Sequence, residues 1–203
     1  MPVTIRLERP EDYRDTEVVT REAFWDVYKP GCDEHLIVHK LRKSPAFVRE
    51  LDLVACEDER IVGNIMYSRA RVLGRDGVAR KVLCLGPVSV LPGHQGRGIG
   101  SRLIQESLSR ARNLGFCGVF LMGNPAYYAR FGFRKADEFG VLASDGQSHD
   151  YFMGLELAQG RLRRLSGKFL EDEVFHVGAA ELEEFERLFP EKEKHVTPTQ
   201  LRR

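Results

Sequence analysis

The stretch that most constrains the fold of this chain is LGPVSVLPGHQGRGIGSRLIQESLSRAR, which runs from Leu85 to Arg112. An apolar strand interrupted by Pro87 leads into a glycine-rich loop, and the loop leads directly into an amphipathic helix. Proline donates no backbone hydrogen bond, so Pro87 marks an edge, a bulge or a point where the strand leaves its neighbour. Gly115 is placed to end the helix. Helical spacing predicts that one face of it is buried: Ile99, Leu103, Ile104, Leu108 and Ala111.

The glycine-rich loop predicts a ligand that carries phosphate. Gly96, Gly98 and Gly100 stand immediately before the helix, where backbone N–H groups converge without obstruction by Cβ atoms. The first N–H groups of a helix have no intrahelical acceptor, and the helix dipole favours negative charge at that end. Arg97 and Arg102 add positive charge nearby. The predicted ligand is therefore a phosphate ester.

Two common phosphate-binding motifs fit this loop poorly. A P-loop requires Gly-Lys-Ser/Thr, and the loop contains no lysine. The dinucleotide fingerprint would begin at Gly96 and Gly98 but has Ser101 at its third glycine position. A protein that uses this loop for ATP or NAD stays an alternative, as does a connector that binds nothing.

The remaining periodicities predict an α/β (α+β) fold. They give the order strand, two helices, three antiparallel strands, helix, strand, helix and further strands. Short turns at Asp58-Glu59 and at Gly74 to Gly77 join hairpin strands. The strand FCGVFLM, which follows the main helix, allows a parallel crossover. We therefore expect a mixed, mostly antiparallel central sheet flanked by helices.

The chain divides into a main domain over residues 1–159 and a C-terminal extension over residues 160–203. In the extension, GKFLEDEVFHV predicts a strand and AAELEEFERLF a charged amphipathic helix with a solvated face. The apolar side of that helix offers a docking face for the domain or for a second copy of the chain, in a homodimer. The final PEKEKHVTPTQLRR is polar, and we expect it to be disordered.

Composition excludes several classes of partner. The 31 basic and 30 acidic residues nearly cancel, which argues against nucleic acid and anionic membranes as partners. No segment approaches a membrane span or a signal peptide. The four cysteines are widely spaced, which favours free thiols in a reducing, cytoplasmic compartment and not a zinc cluster. His35 and His39 lie four residues apart near Asp33, but no third ligand matches, so they are predicted to be core or solvated histidines and no metal site is expected.

Two motifs resemble those of the GNAT N-acetyltransferase superfamily. Gln95-x-x-Gly98-x-Gly100, preceded by VSVLP, resembles its acyl-CoA-binding motif, and MGNPAYYARFGF resembles the later segment that ends in Tyr-x-x-x-Gly-Phe. The resemblance covers roughly Val3 to Leu157. It is closest to a branch of predicted acetyltransferases whose acceptors are mostly unassigned.

The resemblance assigns roles to residues of this chain. In the family the fourth strand splays from the fifth at a bulge, and the pantetheine arm of acetyl-CoA pairs with the strand backbone there. Tyr128, four residues before Gly132, matches the tyrosine that protonates the departing CoA thiolate, with Tyr127 as the adjacent competitor. Asn124 would lie beside the pantetheine, although an N-cap role before Pro125 explains it equally well. The other implied acetyl-CoA contacts are Val88, Ser89 and Val90 for the pantetheine, and Gln95, Gly96, Arg97, Gly98, Ile99, Gly100 and Ser101 for the pyrophosphate.

The predicted function is transfer of an acetyl group from acetyl-CoA to a primary amine by direct attack through a tetrahedral intermediate. The backbone N–H of Val90 would meet the oxyanion. No nucleophile–base motif surrounds Cys84, so no covalent enzyme intermediate is expected. The strand KVLCLGPVSV has no carboxylate, which leaves the general base unassigned. The acceptor, a small-molecule amine or a peptide or protein amine, would be bounded by residues 25–41 and 139–152.

A non-catalytic acyl-CoA sensor or partner module with the same fold is the alternative function. The missing carboxylate on the fourth strand is compatible with it.

Overall fold

The computed structural model describes residues 2–162, 165–198 and 200. The helices are α1 (Tyr13–Phe24), α2 (Glu34–Leu41), α3 (Ile99–Asn113), α4 (Pro125–Tyr128) and α5 (Ala179–Glu186). The strands are β1 (Thr4–Leu7), β2 (Leu53–Glu57), β3 (Arg60–Gly74), β4 (Ala79–Val90), β5 (Gly118–Met122), β6 (Arg134–Lys135), β7 (Val141–Leu142), β8 (Phe152–Glu156) and β9 (Gly167–Leu170).

The strands form one sheet in the order β1-β2-β3-β4-β5-β8-β6. β9 pairs with the far end of the long β3, and β7 pairs with β9. Only the β4–β5 and β7–β9 pairs are parallel among the described strands. Asp58 and Glu59 both adopt positive φ, 49° and 65°, as a two-residue hairpin turn of the I′ type requires. The predicted mixed, mostly antiparallel sheet is confirmed.

Helix α3 covers one face of the sheet. The five residues predicted for its apolar face are all buried and pack on strands β2 to β5. The helix ends as predicted at Gly115, which has φ 81° and donates its N–H to Arg112 O at 2.9 Å. The N–H of Phe116 reaches back to Ala111 O at 3.2 Å, which completes a Schellman-type ending.

Helices α1 and α2 cover the opposite face. Val19 of α1 packs against the β2 residues Val54 and Cys56. Val38 and Leu41 of α2 pack against Met66 of β3. Helices thus cover both faces of the sheet. None of the described helices is long and apolar enough to cross a membrane.

The C-terminal extension differs from its predicted form. The strand predicted over residues 167–177 ends at Leu170, because the Asp172 carboxylate accepts the Val174 N–H at 3.1 Å and starts a 3₁₀ turn. Helix α5 packs Phe185 against Leu36 of the same chain.

The prediction of a disordered tail is wrong for residues 190–198 and 200. Several of them hydrogen-bond to the end of α1 and the loop after it, as the indole N–H of Trp25 does with Glu193 O at 2.9 Å. The rest of the predicted tail, with residues 163 and 164, lies outside the described residues.

Candidate functional site

A gap opens between β4 and β5 in the middle of the sheet. The two strands pair at two positions within the described residues, Leu83 with Val119 and Cys84 with Phe120. Beyond Cys84, β4 continues to Val90 with β3 on one side, and β5 turns away into α4. The backbone edge of β4 from residue 85 to 90 therefore faces the gap.

A β-bulge lies in β4 at Pro87. The partners of Ile65 and Tyr67 on β3 are Val88 and Leu85, so β4 holds one more residue than β3 across this step. A Cβ on Gly86 would lie only 3.3 Å from Met66 O, which explains glycine at this position. The sequence predicted that strand pairing is interrupted at Pro87, and the bulge confirms this.

The side chain of Ser89 points away from the gap. Its hydroxyl is buried and donates to Thr20 Oγ1 at 3.2 Å, and the Thr20 hydroxyl donates to Asn64 Oδ1 at 3.2 Å. Val88 and Val90 pack on the α3 side of the sheet. The gap is therefore left to backbone groups of β4 and not to these three side chains.

The loop between β4 and α3 presents free backbone donors at one end of the gap. Gly96 and Gly98 adopt φ 75° and 78°, and Gly98 is the N-cap of α3. No side chain caps the helix, so the N–H groups of Ile99, Gly100 and Ser101 keep their donor capacity. A Cβ on Gly96 or Gly98 would meet nothing within 4 Å, which leaves open space for a ligand. This arrangement fits a phosphate group.

The loop is fixed by contacts of three of its side chains. Gln95 donates its side-chain N–H to Val90 O at 3.0 Å, tying the loop to the end of β4. Glu57, at the end of β2, pairs with Arg97 at 2.6 Å and with His94 at 3.1 Å. The Arg97 side chain thus pairs with Glu57, and the pyrophosphate contact predicted for the Arg97 backbone amide stays a prediction.

The two adjacent tyrosines of α4 have different surroundings. The Tyr127 hydroxyl lies 3.0 Å from the point where a Cβ on Gly100 would stand, at the start of α3. The Tyr128 ring lies against Gly123, whose missing side chain makes room for it, with its centroid 5.7 Å from that of Phe133. Burial raises the pKa of Tyr128, and interactions with Tyr127 and Tyr28 raise it further.

Two other residues discussed in the sequence analysis, Asn124 and Cys84, have structural roles. Asn124 caps α4, because its Oδ1 accepts the Ala126 N–H at 2.9 Å, so the N-cap interpretation is observed. Cys84 is buried on β4 and burial raises the pKa of its thiol, which keeps it protonated and inert. All four cysteines are free.

Sequence reasoning missed two residues, Tyr28 and Glu34, that interact with one another and, through Tyr28, with Tyr128. Tyr28, in the loop between α1 and α2, interacts electrostatically with both Tyr128 and Glu34. Glu34 begins α2 and is half-buried. Burial, with the adjacent Asp33, raises the pKa of the Glu34 carboxyl to about 7. The acidic pair Asp33-Glu34 opening an apolar helix was the only sequence signal, and such pairs are common at the start of helices.

The histidines of α2 are structural, as predicted. Buried His35 has Nε2 at 2.7 Å from the Glu186 carboxylate, and burial, opposed by Glu186, lowers its pKa to about 4. His39 lies 2.8 Å from Glu17. Within the described residues no group of three His, Cys, Asp or Glu side chains is placed to hold a metal ion.

A gap between two parallel strands that ends at an uncapped helix N-terminus fits a ligand with an extended arm and a phosphate group, as an acyl-CoA has. The sequence model of the acetyltransferase (GNAT) family matches residues 12–133, more than half of the chain. The chain belongs to this family.

Its relatives include proteins with solved structures. It is 28% identical over 164 residues to the uncharacterized N-acetyltransferase YhbS of Escherichia coli strain K12, over 80% of this chain and 92% of YhbS. The crystal structure of YhbS in complex with CoA has a TM-score of 0.77 at 26% identity, covering 86% of this chain and 92% of that chain. A GNAT acetyltransferase from Brucella melitensis, crystallised with acetyl-CoA, has a TM-score of 0.70 at 34% identity, covering 86% of this chain and 98% of that chain.

Proposed function

We propose that this protein transfers an acetyl group from acetyl-CoA to a primary amine. The observation that carries the proposal is the β4–β5 gap joined to the uncapped start of α3. The gap offers backbone groups to an extended arm, and the helix offers three N–H donors to a pyrophosphate at its end. Acetyl-CoA combines these two parts in one molecule, and the two relatives above were crystallised with acetyl-CoA or CoA.

Direct attack is the proposed route. The amine nitrogen attacks the thioester carbonyl, the tetrahedral intermediate forms, and the carbon–sulfur bond then breaks to release CoA thiolate. A backbone N–H at the end of β4, for which we propose that of Val90, donates a hydrogen bond to the oxyanion. Buried, protonated Cys84 is a poor nucleophile, which favours this route over a covalent enzyme intermediate.

Tyr128 is proposed to protonate the thiolate. The Tyr127 hydroxyl is near the phosphate-binding end of the gap, whereas Tyr128 lies beside β5 and interacts with Tyr28 on the acceptor side. Even at ordinary pKa values, moving a proton from phenol to thiolate is uphill by about 2 kcal/mol. The raised pKa of Tyr128 enlarges this difference and keeps the phenol protonated at neutral pH. Proton transfer must therefore accompany collapse of the intermediate.

We propose that Glu34 accepts the proton that the amine must lose. An alkyl ammonium near pKa 10.4 must lose a proton before it attacks. A carboxyl with a pKa of about 7 is half ionised at neutral pH, where a general base works well. Its place at the start of α2, within the residues 25–41 that we expect to bound the acceptor, and its interaction with Tyr28 support this role.

A small-molecule amine, a protein N-terminus and a lysine side chain all remain within the proposal. The four free thiols favour a reducing, cytoplasmic location. The alternative function is an acyl-CoA sensor that binds without turnover.

The test pairs two variants of adjacent residues. Acetyl-CoA binding is measured by calorimetry, with ATP and NAD as controls, and thiol release is followed with a panel of amines. Tyr128→Phe should lower turnover by roughly 10² to 10⁴-fold with unchanged acetyl-CoA affinity. Tyr127→Phe, the matched control, should retain turnover within a few-fold.

Three other results would contradict the proposal. Binding without turnover on any amine would favour the sensor. ATP or NAD outcompeting acetyl-CoA would indicate a nucleotide site. Equal losses in both variants would remove the role of Tyr128.

A further inference from the structure

The C-terminal residues 185–198 and 200, which we name the strap, lie across α1 and the loop that follows it. The family match ends at residue 133, well before the strap begins. The Glu186 carboxylate at its start accepts from Arg21 Nη2 at 2.8 Å and lies 2.7 Å from His35 Nε2. Both partners are almost completely buried. The strap is therefore anchored in the core between α1 and α2.

The single tryptophan of the chain forms a second anchor. Trp25, directly after α1, donates its indole N–H to Glu193 O at 2.9 Å. The Arg21 guanidinium lies 4.2 Å from its ring centroid and the Lys192 ammonium 5.2 Å. Because Lys192 and Glu193 of the strap both contact this side chain, Trp25 emission reports on the position of the strap.

Asp26 joins the strap to the loop between α1 and α2. Its carboxylate accepts the Gly31 N–H at 2.7 Å and the His195 N–H at 3.0 Å, and it also lies 3.1 Å from the His195 ring. Its carbonyl accepts from the Thr197 hydroxyl at 2.9 Å and the Gln200 amide at 3.0 Å. Asp26 itself adopts φ 60°, a left-handed conformation that an aspartate keeps only when its surroundings hold it there.

The loop held in this way lies within residues 25–41, which we expect to bound the acceptor. The Asp26 N–H donates to Gly31 O at 3.0 Å, which closes the loop on itself with Tyr28 between the two ends. Half of the Tyr28 side chain is exposed, and its phenol interacts with Tyr128 on one side and Glu34 on the other. A change in the position of Asp26 would therefore move the loop that carries Tyr28 and leads into Glu34.

We propose that Asp26 is a positioning residue, through which the strap fixes the Tyr28 loop and so determines which amine the enzyme accepts. This inference rests on the proposed function, and it deepens that function by assigning acceptor selection to the strap. The contacts described above join the strap to α1, α2 and the loop between them. The strap should therefore affect the acceptor and leave acetyl-CoA binding unchanged.

The test uses Asp26→Gly in the full-length chain. Glycine tolerates the left-handed conformation, so this variant removes the carboxylate without adding backbone strain. Asp76→Gly is the matched control, because Asp76 also accepts a backbone N–H, from Val78 at 3.0 Å, and pairs with a cation, Arg80, in the distant β3–β4 turn. The amine probes are an aliphatic diamine, an aromatic ethylamine, an aminoglycoside, Nα-acetyl-lysine amide and a peptide with a free N-terminus.

For Asp26→Gly we expect a shifted Trp25 emission and at least a tenfold rise in the KM of the best amine. The KM and Kd of acetyl-CoA should stay within twofold of the wild type. Asp76→Gly should leave all these quantities unchanged.

A shifted emission with an unchanged amine KM would make the strap purely structural and overturn the inference, and so would an unshifted emission. Equal rises in the KM of both substrates would also overturn it, because the effect would then be general. If the wild type binds acetyl-CoA but acetylates no amine, the proposed function fails and the inference falls with it. Intact wild-type turnover with an unaffected Asp26→Gly variant rejects the strap inference alone.

Discussion

Gly98 at the start of α3 offers a test of whether the glycine loop holds the pyrophosphate. The perturbation is Gly98→Ala, and the chain contains a matched control in Gly77, in the β3–β4 turn. The two glycines have φ 78° and 76°, and a Cβ at either position would meet no atom within 4 Å. Alanine therefore introduces the same backbone strain and no clash at both sites.

The structure sets two magnitudes for these variants. An L-residue in the left-handed conformation costs about 1 kcal/mol relative to glycine, and this should lower Tm by roughly 2–4 °C in each variant. At Gly98 the new methyl also stands in the loop that we propose to hold the pyrophosphate. A lost hydrogen bond to a charged group is worth about 1.5–3 kcal/mol, which corresponds to a roughly 10- to 100-fold weaker acetyl-CoA affinity.

Thermal unfolding and calorimetric titration with acetyl-CoA, at one fixed ionic strength, measure the two effects separately. Gly98→Ala should lose both stability and affinity, and Gly77→Ala should lose stability alone. Equal acetyl-CoA affinities for the two variants would refute the assignment of the loop to pyrophosphate. A stability loss at Gly98 far above that at Gly77 would instead indicate fraying of α3.

Two further predictions concern buried carboxyl groups. If Glu34 takes the amine proton, it must be ionised, so wild-type kcat/KM should rise with pH and level off above about 7. In Glu34→Gln, kcat/KM should no longer rise with pH and should be roughly 10²-fold lower. In Asp33→Asn, the plateau value of kcat/KM should be unchanged. The midpoint of its pH dependence should move to lower pH, because Asp33 contributes to the raised pKa of Glu34. Burial and a hydrogen bond with Glu8 raise the pKa of Asp52 to about 9, so between its ordinary range and pH 9 the folded state binds more protons than the unfolded state. Stability should therefore fall with rising pH by up to about 1.4 kcal/mol per unit, and urea unfolding at pH 6 and pH 9 should show a smaller difference for Asp52→Asn; an equal difference would contradict the assignment.

Local patterns predicted the acetyl-CoA side of the molecule well. The apolar face of α3, its ending at Gly115 and the hairpin turn at Asp58-Glu59 depend on residues within a few positions of one another. The interruption at Pro87 follows from the missing N–H of proline itself. Most of this side is one continuous segment from β4 to α3, which is why a sequence motif describes it.

Local patterns could not predict the contacts between segments that are far apart in the sequence. Arg97 pairs with Glu57, which lies at the end of β2 and far away in the sequence. Likewise, β9 pairs with residues of β3 that come nearly a hundred positions earlier. Glu186 stands in a run of charges that predicts a solvated helix face, yet it is held by Arg21 and His35. A carboxylate leaves solvent only when polar or charged partners are placed around it, and here both partners come from helices at the other end of the chain.

The two sides of the site are therefore built in different ways, and this has a consequence for specificity. The acetyl-CoA side uses backbone groups of one segment, so side-chain changes elsewhere leave it intact. The acceptor side brings together the Tyr28 loop, the start of α2 and, by our inference, the strap, which meet only in the folded chain. Changes in the strap should thus alter the choice of amine while acetyl-CoA binding persists. Relatives that share the β4–α3 segment but differ in this C-terminal region should accordingly bind the same acyl donor and acetylate different amines.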